Sequence, residues 1–275
     1  MSRSRGRGLG TWGLDALTYF LVLAFISPFL WMVLTSFKTE VAAYTIPPLI
    51  FFKATLAHYA SVFASRFWFY FQNSVWAAVG SAVLSVIFGT LAGYSLLYLS
   101  RKRASGLLFF IISTRFMPVA AVVLPVYMVL TQVHLLDTHA ALILVYTAMD
   151  LPIVTWMARS YFADIPTEIF EAASMDGAGP VQLISRVALP LAGPGLWAAG
   201  LLAVVFSWNE FFFAVNITYT QAPTLPVLVS SFMTTQGLYW ARLSALDTLV
   251  VVVPVALGLI AQRHLVRGLT AGALR

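Results

Sequence analysis

The chain has no cysteine, which excludes disulfides, thiol nucleophiles and cysteine-based metal centres and leaves the redox compartment undefined. Histidine is sparse: His58, His134, His139 and His264 are scattered without ligand spacing, so no metal site is expected. Charge is scarce as well, at 9% of residues, against about 25% in an ordinary soluble domain. There is no glycine-rich phosphate loop of the Walker type and no lysine placed to reach a nucleotide phosphate. The chain is therefore not expected to hydrolyse ATP, and neither a catalytic residue nor a cofactor is expected.

What fills the space is apolar. With 60% hydrophobic residues and a mean hydropathy of +0.88, the chain carries more apolar surface than a soluble fold can hide. Its 275 residues fit one membrane bundle, six spans of about 20 residues with connections, read as a single domain over 1–275. The net charge of +6 is dispersed in short clusters rather than along one stripe, so a nucleic-acid partner is not expected. Arg3, Arg5 and Arg7 precede an uncharged run from Ala16 to Phe37 that is too long for a signal-peptide core and ends in Ser-Phe-Lys-Thr-Glu rather than a cleavage site.

Uncharged runs place spans near 16–36, 73–98, 107–131, 140–159, 194–216 and 243–262. With a cytoplasmic N-terminus, the inner segments hold Arg3, Arg5, Arg7, Arg101, Lys102, Arg103, Arg159, Arg186, Arg263, Arg267 and Arg275. The outer ones hold Lys38, Lys53, Arg66 and Arg242. Eleven basic residues against four is a positive-inside bias, and an even span count puts both termini in the cytoplasm.

Two loops are long: an outer one at about 37–72 and an inner one at about 160–193. The inner one reads as two short helices. Pro166 suits a first turn, with Asp164 and Glu168 near the positive end of the dipole, and Gly177 supplies a left-handed stop. Gly179-Pro180 restarts a second helix that runs through Val181 to Ser185 and yields before Pro190. Ile165, Ile169, Phe170, Met175, Leu183 and Ile184 need an apolar cover; physics alone leaves open whether they pack under the protein's own helices or on the lipid headgroups, or are covered by something else.

Glu171-Ala172-Ala173-Ser-Met-Asp176-Gly177, followed after nine residues by Val187-Ala188-Leu189-Pro190, resembles the cytoplasmic loop motif of binding-protein-dependent ABC importer permeases, departing at Val187 where isoleucine is usual. Ser36-Phe37-Lys38, Asn73-Ser74, Leu136-Asp137-Thr138, Leu151-Pro152, Trp208-Asn209-Glu210-Phe211 and Gly268–Ala273 are similar to the carbohydrate branch of that family, in particular the second permease subunit of maltose-type importers. The tail departs by ending in Leu274-Arg275. The resemblance implies an all-α, polytopic membrane bundle of six helices with the type I ABC importer permease fold. It implies a second homologous permease subunit, two ATP-binding subunits, an extracytoplasmic solute-binding protein and a sugar substrate, in the bilayer of a bacterial inner membrane. It also implies that Glu171, Ala172, Ala173, Asp176, Gly177, Leu189 and Pro190 dock on the ATPase, that the segment about 217–242 reaches towards the binding protein, and that the tail from Gly268 approaches the ATPase.

Charges inside hydrocarbon are functional candidates by default. Arg115, Asp150, Trp208, Asn209 and Glu210 form the candidate translocation path, because carboxylates and amides bond sugar hydroxyls and an aromatic ring covers a sugar's apolar face. Three of them also have a structural reading: Arg115 as a pairing partner, Glu210 held for packing or gating, Asp150 beside a Pro152 kink. Asp247 lies near the outer surface and carries little weight. The rival function is an ion-gradient-driven transporter or channel with Arg115, Asp150 and Glu210 as a relay; it predicts transport by the isolated chain without an ATPase.

Overall fold

The computed structural model describes residues 9–234 and 237–272, and expectations on Arg3, Arg5, Arg7, Gln236, Ala273 and Arg275 lie outside them. The long elements are helices because lipid offers backbone groups no hydrogen bonds, so each N–H and C=O must be satisfied within its own segment. In chain order they are α1 (Leu9–Ser36), α2 (Glu40–Tyr44), α3 (Ala57–Ala64), α4 (Phe67–Ser95), α5 (Arg101–Ser113), α6 (Val119–Gln132), α7 (His139–Ala163), α8 (Thr167–Met175), α9 (Pro180–Gln182), α10 (Leu189–Trp208), α11 (Phe212–Ile217), α12 (Leu225–Ser230) and α13 (Trp240–Gly272). A two-residue antiparallel pair, β1 (Met233–Thr234) and β2 (Gly237–Leu238), sits before α13 with Met233 opposite Leu238. Among the described residues five helical stretches are long and apolar enough to cross a membrane, and α5 with α6 makes a sixth crossing if that bent pair is one span.

The described residues form two compact units. One comprises the chain to Ser65 with Phe232–Val251. Its helix α1 is exposed along most of its apolar length, from Leu14 to Trp31, as a lipid-facing helix would be. Below it Lys38 is buried with its ammonium 4.0 Å from the Trp31 ring centre and 5.4 Å from that of Phe52, a pair of cation–π contacts. Glu40 accepts the Ala241 and Arg242 N–H groups at 3.1 and 2.9 Å, capping the positive end of α13.

The other unit comprises Arg66–Ser231 and the chain from Val252. Its heart is α4 against α7, with α10 across both. The buried face of α4 is a ladder of small residues, Ala77, Ala78, Ser81, Ala82, Ser85, Gly89 and Gly93, the composition that lets membrane helices approach closely. A Cβ on Gly93 would lie 2.8 Å from the Arg159 backbone nitrogen and 3.0 Å from the Thr155 carbonyl oxygen, so only glycine fits. Hydroxyls tie the helices: Ser81 and Ser207 share a 2.8 Å hydrogen bond, and Thr147 reaches the Ser81 carbonyl at 3.4 Å. The packing continues end to end, from Ala77, Leu142, Tyr146 and Phe213 at one end, through Ala82, Val154, Ala199 and Ala203, to Tyr94, Phe162, Ile165 and Ala192 at the other.

Two expected spans are corrected. The run 107–131 is not one straight helix: α5 ends in a 3-10 turn over Thr114–Phe116, and α6 leaves at 92°. Pro118 lacks an N–H and pushes Met117 to extended geometry, φ −65° and ψ 131°, so the helix cannot pass through. The fifth span starts at Pro180 and ends at Trp208 rather than covering 194–216. The second short helix does not yield before Pro190. A π-helical stretch at Leu183–Ala188 carries it into α10, with the Leu189 N–H donating to the Ile184 carbonyl, so Pro190 falls in the first turn of α10, where its missing N–H costs little.

Candidate functional site

Three groups of residues in the second unit carry the chemistry, one at each end and one between. At the end where Tyr94 and Phe162 pack, Ile165 is buried just before α8, and α8 itself is held through Phe170, whose ring centre is 6.3 Å from that of Tyr94. Gly177 ends α8 with φ +86°. The Ala178 N–H then reaches the Ala173 carbonyl and the Gly177 N–H the Ser174 carbonyl, each at 3.0 Å, the Schellman pattern that a left-handed glycine permits. Glu171, Ala172, Asp176 and Gly177 are exposed, Ala173 is half-buried, and Leu189 and Pro190 are exposed on the first turn of α10. Met175 at 89% and Val181 at 78% exposure flank the Gly177 turn. This is apolar surface with no cover among the described residues.

The middle group gathers where α5 breaks from α6 and α10 stops. Arg115, in the turn between α5 and α6, donates to the Met149 carbonyl at 2.6 Å and lies 3.6 Å from Asp150. Ser207 donates to the other Asp150 oxygen at 2.7 Å. The Arg115 guanidinium also sits over the Phe206 ring, 5.2 Å from its centre. Glu210 does not lie within a helix: its two oxygens accept the Phe213 and Ala214 N–H groups at 2.9 and 3.2 Å, so it caps α11. Together Arg115, Tyr146, Met149, Asp150, Phe206, Ser207 and Glu210 line a cavity of about 130 Å³. The Tyr146 hydroxyl, buried beside Glu210 and Thr224, makes no well-formed hydrogen bond there.

Of the five residues the sequence put on a path, Arg115, Asp150 and Glu210 thus meet. Trp208 and Asn209 are not brought to that cavity. Trp208 is buried edge-on against Phe71, with ring centres 5.8 Å apart, and the Asn209 amide bonds back to the Val205 carbonyl at 2.7 Å. Sequence reasoning missed Tyr146, Phe206 and Ser207, which carry no charge to mark them inside apolar runs.

At the opposite end the irregular segment after α11 is gripped by α4 and by the turn that enters α7. Asp137, with φ +58°, accepts the backbone N–H groups of Tyr219, Thr220, Gln221 and Ala222 at 2.7 to 3.3 Å and the Thr220 hydroxyl at 2.9 Å. Its own N–H donates to the Ile217 carbonyl at 2.9 Å. Asn73 donates to the Gln221 and Pro223 carbonyls at 3.3 and 3.0 Å and bonds His139 Nε2 at 2.8 Å, while Ser74 accepts the Leu225 N–H at 2.7 Å. Partial burial pushes the Asp137 carboxyl up, but these donors outweigh it and bring it down to about 2. Asn73-Ser74 and Leu136-Asp137-Thr138 stood out in the sequence only as family resemblances; their shared target, the segment 217–225, is visible only in three dimensions.

Residues 85–270 match the model of a family described as binding-protein-dependent transport system inner membrane component. The chain is similar to the sulfoquinovosyl glycerol transport system permease protein of Agrobacterium fabrum, 35% identical over 253 residues that cover 90% of this chain and 88% of that one. It is similar to the trehalose/maltose transport system permease protein of Thermococcus litoralis, 30% identical over 90% of this chain and 91% of that one. Its fold matches a chain of a bacterial ABC transporter involved in the import of the acidic polysaccharide alginate, with a TM-score of 0.77 at 20% identity over 96% of this chain and 99% of that one.

Proposed function

The chain belongs to the family of inner membrane components of binding-protein-dependent transport systems, and from that premise we propose that it is the permease subunit of an importer for a sugar or related polyhydroxy solute. ATP hydrolysis belongs to a separate subunit. The full assembly in this reading holds a second homologous permease, two ATP-binding subunits and an extracytoplasmic solute-binding protein, with both termini of this chain cytoplasmic. The relatives named for sulfoquinovosyl glycerol and for trehalose and maltose support the substrate class. Family membership does not favour the ion-gradient alternative.

The observation that carries the reading is the α8–Gly177 turn, exposed and apolar at its tip yet seated on the ends of α4 and α7. An ATPase that grips Met175, Asp176 and the flanking Glu171–Ala173 moves a helix packed on Tyr94 and Phe162, and the glycine-tight contact of α4 with α7 passes the movement inward. The Arg115–Asp150–Ser207 junction, between a broken helix and the end of α10, is the part of the bundle with freedom to open, and Arg115, Asp150 and Glu210 are its polar lining. The test is co-purification with candidate ATPase and permease partners, wild type against Gly177→Asp. Loss of the ATPase or of ATP-coupled transport in the variant is expected; transport by the isolated chain without ATP would contradict the reading.

A further inference from the structure

We propose that Asp137 is a positioning residue that makes the segment 217–225 a rigid extension of α4 and α7, so that a solute-binding protein pressing on this end acts directly on the helices that carry α8 at the other. The proposal rests on the importer reading above and adds to it a mechanical role for one carboxylate. Four consecutive backbone N–H groups and one hydroxyl converge on Asp137, a concave nest of donors around an anion. Asp137 holds the left-handed conformation that leads into the Thr138 cap of α7, a geometry that aspartate and asparagine tolerate and most residues do not.

The grip is doubled on the second helix. Asn73 and Ser74, in the second turn of α4, hold the Gln221 and Pro223 carbonyls and the Leu225 N–H, and His139 in the first turn of α7 closes the circuit onto Asn73 at 2.8 Å. The segment is therefore bonded to α4 and to the turn that enters α7, the two helices whose far ends meet Phe170 and Ile165. Because the carboxyl is held near 2, it is ionised throughout the physiological range. The attachment is permanent rather than switched.

The experiment uses the assembled importer reconstituted in nanodiscs, with the cognate solute-binding protein as purified. Asp137→Asn keeps the size and the left-handed tolerance but turns an amide group into a nest built for an anion. Hydrogen exchange at residues 219–222 is expected to accelerate at least tenfold, basal ATPase to match wild type, and the stimulation by binding protein to fall at least fivefold. Stimulation equal to wild type despite loosened exchange overturns the proposal. Thr220→Val removes one bond and leaves the carboxylate, and it serves the same two readouts if Asp137→Asn does not assemble: partial loosening with weaker stimulation is expected, and unchanged stimulation overturns the proposal. If the wild-type complex is not stimulated by binding protein at all, the importer reading fails instead.

Discussion

Arg115 and Asp150 form an ion pair that is open on one side only, and this asymmetry has a measurable consequence. The Arg115 side chain is 31% exposed and the Asp150 side chain 2%. At 3.6 Å the attraction between unit charges is about 4–5 kcal/mol with an effective dielectric of about 20, and solvent around Arg115 reduces this to about half. Removing Asp150 leaves a guanidinium that keeps its bond to Met149 and can turn towards water or lipid headgroups, a loss of about 1 kcal/mol. Removing Arg115 leaves a buried carboxylate that keeps the Ser207 hydroxyl as a donor but has lost its counter-charge, a loss of about 3 kcal/mol. Arg115→Ala should therefore destabilise more than Asp150→Ala, and the double variant should recover about 2 kcal/mol relative to the sum of the singles. Unfolding by SDS titration, followed through the fluorescence of the chain's eight tryptophans, measures all three. Equal losses that add within about 0.5 kcal/mol would refute the reasoning, because neighbours sharing a buried pair cannot be independent.

Gly93→Ala forces a methyl group onto the α7 backbone; the same titration should show a loss of about 1–3 kcal/mol, as overpacking does elsewhere. Gly177→Ala meets no atom within 4 Å, so its cost is conformational, about 1–2 kcal/mol against the left-handed turn; coupled ATPase should drop while the spans melt as in wild type. Glu40→Ala removes the acceptor of the Ala241 and Arg242 N–H groups and should cost about 1 kcal/mol, seen as faster exchange in the first turn of α13. For Asp137 the folded carboxyl is depressed from 3.8 to about 2, so its contribution is complete above the unfolded value and fades as pH falls from about 4 towards 2. Protection of residues 219–222 should be flat from pH 8 to pH 5 and collapse only in strong acid.

The sequence was most legible where one physical constraint acts alone. Long uncharged runs must cross or hide, so α1, α4, α7 and α13 stand close to where the runs place them. Pro166, Gly177 and Gly179 punctuate an exposed loop with little tertiary override, and α8 and its stop follow. Legibility failed where irregular backbone lies inside an apolar run, because hydropathy reports what tolerates an apolar surrounding and not what is helical. Met117-Pro118 and Asn209-Glu210 sit inside apolar runs, yet one is a 92° break and the other the end of α10. Glu210 read as a polar group in mid-span, whereas its oxygens serve the first turn of α11. Ser207 and Tyr146 escaped because a hydroxyl leaves no mark on a hydropathy profile. Asp137 was visible as a residue but not as a clamp, since its donors lie some eighty positions away, at Tyr219 to Ala222.

The absence of cysteine makes single-cysteine cross-linking clean, and it addresses the central claim, that the exposed α8–Gly177 turn is the ATPase contact. In inverted vesicles holding the assembled importer, Met175→Cys and Thr220→Cys are each treated with a short thiol-to-amine cross-linker. The account predicts a covalent product with the ATP-binding subunit from position 175 and none from position 220. A product with that subunit from position 220, or none from position 175 in a complex that still hydrolyses ATP, would contradict it.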